Sequence, residues 1–197
     1  MTNLNFPDWD TQLFIFLNNL HVDWLDPVMK FFSAIPVWIP MYLLIVFFMF
    51  RKQKLWGLAA LAVLGISFAL TDQLSVHLFK NVFQRLRPCH TEELQGIMRS
   101  LEGCGGRYGF ISNHAANAFC LAALTARFFK NKYYTIWIFV WAVLVSYSRI
   151  YVGKHFPLDV ICGAIFGIIC QQVGVWLYAL CRIIVFKTKG YEMPRLF

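Results

Sequence analysis

Apolar and polar positions fall in long blocks along this chain. Residues 6–20 place Phe6, Trp9, Leu13, Phe14, Leu17 and Leu20 at three- and four-residue spacing, with Asp8, Asp10, Gln12, Asn18 and Asn19 between them. That period predicts an amphipathic helix lying in a membrane interface; a helix packed on the rest of the fold is the alternative. Asn18, Asn19, His21, Asp23 and Asp26 interrupt the stretch too often for it to cross a bilayer. Residues 28–50 form an apolar run long enough to span, since a crossing helix needs about 20 residues. Pro36 and Pro40 predict a kink within it. The run at 55–70 is apolar, and its helix is expected to continue through a more polar stretch to Lys80. A polar loop with Gly103, Gly105, Gly106 and Gly109 then leads to Phe110; at roughly two dozen residues it has a length at which loops are often functional. Further spans are predicted at 112–129, 133–148 and 157–185. The pattern is that of an all-α polytopic membrane helix bundle, a single domain over residues 1–197. It predicts five transmembrane spans and an N-terminal interfacial amphipathic helix, with no internal repeat.

Composition agrees. Of 197 residues, 59% are hydrophobic and 14% charged, and mean hydropathy is +0.57, whereas soluble domains average about 25% charged residues. The net charge of +8 does not read as nucleic-acid binding, because no basic run is interleaved with aromatics on a polar surface. Met1 to Asp10 carries two acids and no base, so no cleaved signal peptide is expected there. The turns at 51–54 and 127–132 and the tail from Arg182 hold ten of the 18 basic side chains: Arg51, Lys52, Lys54, Arg127, Lys130, Lys132, Arg182, Lys187, Lys189 and Arg195. By the positive-inside bias, those turns and the tail are cytoplasmic, and the N-terminus and the remaining polar clusters are outside.

Cys120, Cys162, Cys170 and Cys181 lie in apolar runs and read as small packing residues. Cys89 and Cys104 share the polar loop, which this topology places in an oxidising compartment, so they are a candidate disulfide; two free thiols are the alternative.

Three polar clusters sit where apolar runs begin or end. In the last, Pro157 suits the first position of a helix. Asp159 in the first turn can reach back to His155, fix its tautomer and leave the other ring nitrogen as a nucleophile. Arg149, at the end of the preceding span, can fork two hydrogen bonds to a phosphate. These residues equally suit a helix cap and a snorkelling arginine. In the second cluster, Ser112 is a good N-cap before Asn113 and His114, and a helix N-terminus with unpaired N–H groups attracts anions. In the third, Pro88 forces a turn that leaves Arg87 near Lys80. Arg85 reads as a headgroup contact, since basic residues at such positions usually anchor to the interface. Asp72, about 12 Å deeper than Lys80 along a helix, reads as a hydrogen-bonded or ion-paired group inside the bundle. His77 and His90 lack ligand-like spacing. Gly163 and Gly167 offer a small-residue face, read as packing within a monomer in preference to dimerisation.

Together these residues resemble the type 2 phosphatidic acid phosphatase superfamily, shared with bacterial acid phosphatases and vanadium haloperoxidases. Lys80, six residues, then Arg87-Pro88 matches its first motif. Ser148-Arg149, five residues, His155, three residues, Asp159 matches its third. In the second motif Ser112 and His114 match, while Ile111 and Asn113 stand for a proline and a glycine. The resemblance implies that His155 attacks phosphorus to form a phosphohistidine, that Asp159 orients it, and that His114 protonates the leaving group and then activates water. Lys80, Arg87, Ser112 and Arg149 would bind the phosphoryl oxygens, with the Asn113 peptide N–H beside them. No metal and no cofactor are expected. Asn113 is expected to modify the pocket without disabling it, because asparagine tolerates unusual backbone angles.

The expected activity is hydrolysis of a membrane lipid phosphate or pyrophosphate on the outer face of a bacterial cytoplasmic membrane. Undecaprenyl pyrophosphate, lipid A phosphates, phosphatidylglycerol phosphate and phosphatidic acid all fit. The expected partners are that lipid and the bilayer, and the protein is expected to be a monomer. The alternatives are a catalytically impaired lipid-binding or transport protein of the same fold and, least compatible with the spans, a haloperoxidase.

Overall fold

A computed structural model describes residues 6–52 and 54–187, and among them the chain is helical with no strand. Met1, Lys189 and Arg195 lie outside the described residues, as does the side chain of Cys181, so expectations placed on them have no structural counterpart.

Helix α1 (Asp8–Asn19) starts after Pro7, and Asp8 and Asp10 in its first turn offset the positive dipole end. Its inward face is Asp10, Phe14 and Asn18, all fully buried, while Trp9, Phe16 and Leu20 are exposed. The helix thus turns polar residues inward, contrary to the amphipathic reading. Asp10 and Asn18 are buried because each finds several hydrogen-bond partners there. The Asn18 amide donates to the carbonyls of Arg99, Ile150 and Tyr151 and accepts the Arg99 N–H. It therefore ties α1 to the polar loop and to the C-terminal end of a later helix.

The kink expected at Pro36 is a full break. Helix α2 (Asp26–Ser33) ends at Ala34, which is extended. A 3-10 turn at Ile35–Trp38 leads into α3 (Ile39–Lys52), and the two helices meet at 71°. Pro36 has no N–H to give the carbonyl one turn back. That Phe32 carbonyl accepts the Trp38 indole N–H instead, at 3.2 Å.

Helix α4 (Lys54–Leu74) continues through a π-helical turn (Ser75–Lys80) and a short α5 (Asn81–Phe83). Gln84, at φ +46°, stops it. The polar loop that follows carries two 3-10 turns and a bridge from Leu86 to Tyr108. Cys89 and Cys104 are joined in a disulfide, with Cα atoms 5.9 Å apart. Closing a loop of that size is worth about 3 kcal/mol in the chain-entropy model. Helix α6 (Asn113–Phe129) begins at Ser112, whose hydroxyl accepts the Ala115 N–H. Helix α7 (Lys132–Tyr151) is capped by Asn131, and α8 (Pro157–Lys187) starts on its proline.

Among the described residues, three helical stretches are long and apolar enough to cross a membrane, at 61–83, in α7 and in α8, with a fourth if the bent α2–α3 pair counts as one span. Helix α6 is about 26 Å long at 1.5 Å per residue, shorter than a hydrocarbon core of about 30 Å. It is the inner helix, with Ala115, Ala116, Cys120, Ala122 and Leu124 fully buried, so it is shaped by its neighbours more than by lipid. Outward-facing Phe47, Ile136, Val140, Val143, Ile165 and Ile169 stay exposed, as lipid-facing positions do in bundles that pack few large side chains inward.

Gly163 and Gly167 pack within the chain. A Cβ on Gly163 would lie 2.6 Å from the Ser112 carbonyl oxygen, and one on Gly167 would strike the Ala116 backbone. Their absence of side chains lets α8 lie against the first turns of α6. Gly167→Ala is therefore expected to push the two helices apart and cost about 1–3 kcal/mol, read as a lowered unfolding temperature in detergent. An unchanged temperature would show that the contact yields freely.

Candidate active site

The chain reverses so that α5 ends, α6 begins, α7 ends and α8 begins at one end of the bundle. This places the three polar clusters together. His155 and Asp159 are almost wholly buried. The Asp159 carboxylate accepts the Phe156 N–H at 3.0 Å and lies 3.5 Å from His155 Nδ1. The other ring nitrogen, Nε2, faces Arg87 Nη1 at 3.4 Å. The Ser112 N–H donates to the Asp159 carbonyl at 2.9 Å, which locks the start of α6 onto the first turn of α8. Gly109 passes between them. A Cβ there would sit 3.1 Å from the Arg87 side chain and 3.2 Å from the Asp159 carboxylate, so a larger residue would have to displace one of them by a few tenths of an ångström.

Burial, and then the positive charges of Arg87, Arg149 and Lys80, hold the His155 imidazole well below the ordinary histidine range. The ring is neutral at neutral pH. Burial also lowers the Arg87 guanidinium from its ordinary value. His114, in the first turn of α6, lies within electrostatic reach of Arg149, His155, Lys154 and Arg87.

Arg149 is almost fully buried at the end of α7. It donates to the Ser33 hydroxyl and lies 3.9 Å from Glu102. Glu102 accepts Lys154 Nζ at 2.6 Å. Burial alone would raise the Glu102 carboxyl, but Lys154 and Arg149 hold it below its usual value. Arg87 Nε and Arg149 Nε are buried with no hydrogen-bond partner among the described residues. Buried donors of this kind are rare in folded proteins, and a binding role is one explanation for them. Three cations and the N-terminus of α6 thus surround a neutral, buried imidazole, an arrangement able to hold a tetrahedral dianion beside a nitrogen nucleophile.

Arg85 is not a headgroup contact. It is 8% exposed and joins Asp10 of α1 to Asp159, the latter at 2.8 Å. Its guanidinium lies 4.0 Å from the ring centroids of both Phe6 and Phe156. Asp10 also accepts the Leu158 N–H at 2.8 Å. Asp10, Ser33 and Glu102 had no expected place in the site, and Gly109 was expected only as part of the loop that leads into α6. A signal existed for Asp10, an acid inside an apolar period. Ser33 and Glu102 had none, because their roles depend on the α2–α3 break and on the path of the loop.

The Asn113 side chain turns away from this centre. Its amide N–H donates to Asp72 at 3.0 Å and its oxygen accepts the Ser75 hydroxyl at 2.8 Å, which leaves the peptide N–H as its group nearest the α6 terminus. Asp72 is hydrogen-bonded to the Asn113 and Asn117 amides, as expected, but it is exposed and not enclosed in the bundle. Cys89, His90 and Cys104 lie close enough together to hold a metal ion, but the two sulfurs are bonded to each other.

The profile of the PAP2 superfamily matches residues 55–183. The chain belongs to the PAP2 superfamily. A lipid A 4'-phosphatase of Porphyromonas gingivalis is 38% identical over 179 residues, which is 88% of this chain and 75% of that protein. A second, from Bacteroides thetaiotaomicron, is 35% identical over 87% of this chain and 76% of its own length. The crystal structure of Aquifex aeolicus LpxE superposes with a TM-score of 0.68 at 26% identity, covering 89% of this chain and 99% of that one. All three PAP2 motifs fall within or beside the surfaces just described.

Removing Arg85 from this PAP2 centre strands two buried carboxylates. Arg85→Gln is expected to cost about 3–5 kcal/mol, as broken buried pairs do, and Asp10→Asn, which keeps the shape and the Leu158 contact, less. Thermal unfolding of both variants against wild type measures this; equal stability of all three would show that the bridge carries no weight.

Proposed function

We propose that this protein is a membrane lipid phosphatase that hydrolyses a lipid phosphate through a phosphohistidine at His155. The observation that carries the reading is the neutral, buried His155 ring, set between the Asp159 carboxylate, 3.5 Å from Nδ1, and the Arg87 guanidinium, 3.4 Å from Nε2. In the proposed reaction Nε2 attacks phosphorus and the bond from phosphorus to the leaving oxygen breaks. His114 gives that oxygen a proton. His114 then takes a proton from water as the water attacks the phosphohistidine, which releases phosphate and restores the free imidazole. Lys80, Arg87 and Arg149 neutralise the phosphoryl oxygens, with the Ser112 and Asn113 end of α6 beside them; phosphoryl transfer asks chiefly for such positioning and charge. Three cations supply the charge that metal ions supply in other phosphatases, so turnover is expected to persist in chelator.

The PAP2 relatives named as lipid A 4'-phosphatases support ranking cell-envelope lipids first among candidate substrates. A lipid phosphate anchored by its tails would meet the site where the helix ends reach water. We place the site on the outer face of a bacterial cytoplasmic membrane, because basic side chains favour the other end, and count α6 as a short inner span.

Purified protein is expected to release phosphate from a lipid A phosphate with chelator present, to be inhibited by vanadate, and to lose at least about 10³-fold of kcat in His155→Ala. His114→Ala should slow poor leaving groups most. Full turnover by His155→Ala sinks the assignment. The neutral ring is the reactive form, and its pKa lies below the ordinary 6.5; the acid limb of kcat/KM is therefore expected below pH 6.5. Arg87→Ala removes a like charge, raises the ring's pKa and moves that limb to higher pH.

A further inference from the structure

A cavity of about 360 Å³ opens beside His114, framed by the α2–α3 break, α4, α6 and α7. Its size falls in the range of small-ligand pockets. His114 lines it, whereas Lys80, Arg87, Arg149 and His155 do not. In an in-line displacement the leaving group departs opposite the nucleophile, on the side of the group that protonates it. The cavity therefore occupies the leaving-group side.

Its polar end is Asp72, Asn113 and Asn117, and its far wall includes Trp38 and Trp141. Both amides donate to the same carboxylate oxygen, Asp72 Oδ1, at 3.0 and 3.2 Å. No hydrogen bond among the described residues uses Asp72 Oδ2, and Asn117 Oδ1 is buried with no partner. The cavity thus offers one free carboxylate oxygen, Asp72 Oδ2, to a ligand and, among its lining residues, neither lysine nor arginine. An anionic acceptor with no cation in the lining suits hydroxyl or amide donors and repels a second phosphate. An ionisable side chain at this depth in a membrane helix is expensive to keep without a role.

We propose that this cavity is the leaving-group subsite and that it takes an uncharged, hydroxyl-bearing alcohol, such as the sugar of a glycolipid monophosphate, in preference to a lipid diphosphate. Asp72 Oδ2 accepts its hydroxyl, the Asn117 amide N–H helps hold that carboxylate, and the two indoles line the path towards its tail. Asn113, where the family motif has glycine, holds the Asp72 carboxylate in place. The inference rests on the phosphatase reading and adds selectivity to it.

The test is kcat/KM for four substrates in one mixed micelle: a glucosamine-lipid monophosphate, lysophosphatidic acid (whose leaving alcohol is uncharged and carries a free hydroxyl), phosphatidic acid and undecaprenyl diphosphate. Wild type is expected to favour the first two over the diphosphate; the better of those two tells a sugar from a short polyol, and either supports the subsite. Hydrogen bonds to charged groups are strong enough that Asp72→Asn should lower the ratio of hydroxyl-bearing monoester to diphosphate at least about ten-fold. Diphosphate turnover should rise, which mere structural damage would not produce. Asn117→Ala should lower the ratio without that rise, and it serves as the second variant if Asp72→Asn does not fold. Ratios unchanged in both variants, or a wild type that prefers the diphosphate, would overturn the proposal while leaving the phosphatase standing. Failure of wild type on all four substrates would remove the phosphatase reading and this inference with it.

Discussion

One buried cation holds this centre together. Arg85 stands between the carboxylates of Asp10 and Asp159, flanked by the rings of Phe6 and Phe156. Through it the N-terminal helix, the polar loop and the first turn of α8 share one contact. A buried ion pair is weak evidence for stability, because desolvating the charges offsets much of their attraction. Its effect here is geometric. Asp159 has one oxygen on Arg85 and the other on the Phe156 N–H and near His155 Nδ1. With both oxygens committed, the carboxylate cannot rotate towards Arg87, and the imidazole keeps Nε2 on the cationic side.

The same constraint explains why α1 buries polar residues. Asp10 meets Arg85 and the Leu158 N–H, and Asn18 meets the last carbonyls of α7, which a helix end leaves without intrahelical partners. An N-terminal segment that packed through leucines alone would cover the bundle without fixing the junction of α7 and α8. Burial of its acid, moreover, pushes the Asp10 carboxyl above its ordinary value even with Arg85 beside it. That group belongs to the folded centre and has no equivalent in a helix floating on a membrane surface.

Much of this was legible in the chain. The apolar runs gave the helices from α4 onward, with Ser112 as a cap and Pro157 as a start, because those features are local. The spacing of Lys80 to Arg87 and of Arg149 to Asp159 was legible for the same reason, since each pair lies on one turn or one junction. The places where sequence reasoning failed are those where a partner comes from far along the chain. Arg85 looked like any interfacial arginine until Asp10, 75 residues away, was set against it. The kink at Pro36 was foreseen but its 71° was not, because the size of a bend depends on what receives the freed carbonyl.

That bend also shapes the chemistry. By turning at Ala34, the chain brings Ser33 onto Arg149 and opens the space that Trp38 and Trp141 wall, their rings 5.4 Å apart and nearly perpendicular. A straight helix from Asp26 to Lys52 would carry residues 33 to 38 along its own axis and could not do both. Arg149 would then lose its hydroxyl partner, and the cavity beside His114 would lose the wall that Ile35 and Trp38 give it. Pro36 therefore acts at a distance, by withholding a single N–H from the Phe32 carbonyl. The cavity beside His114 is as much a product of that missing donor as of any residue that lines it.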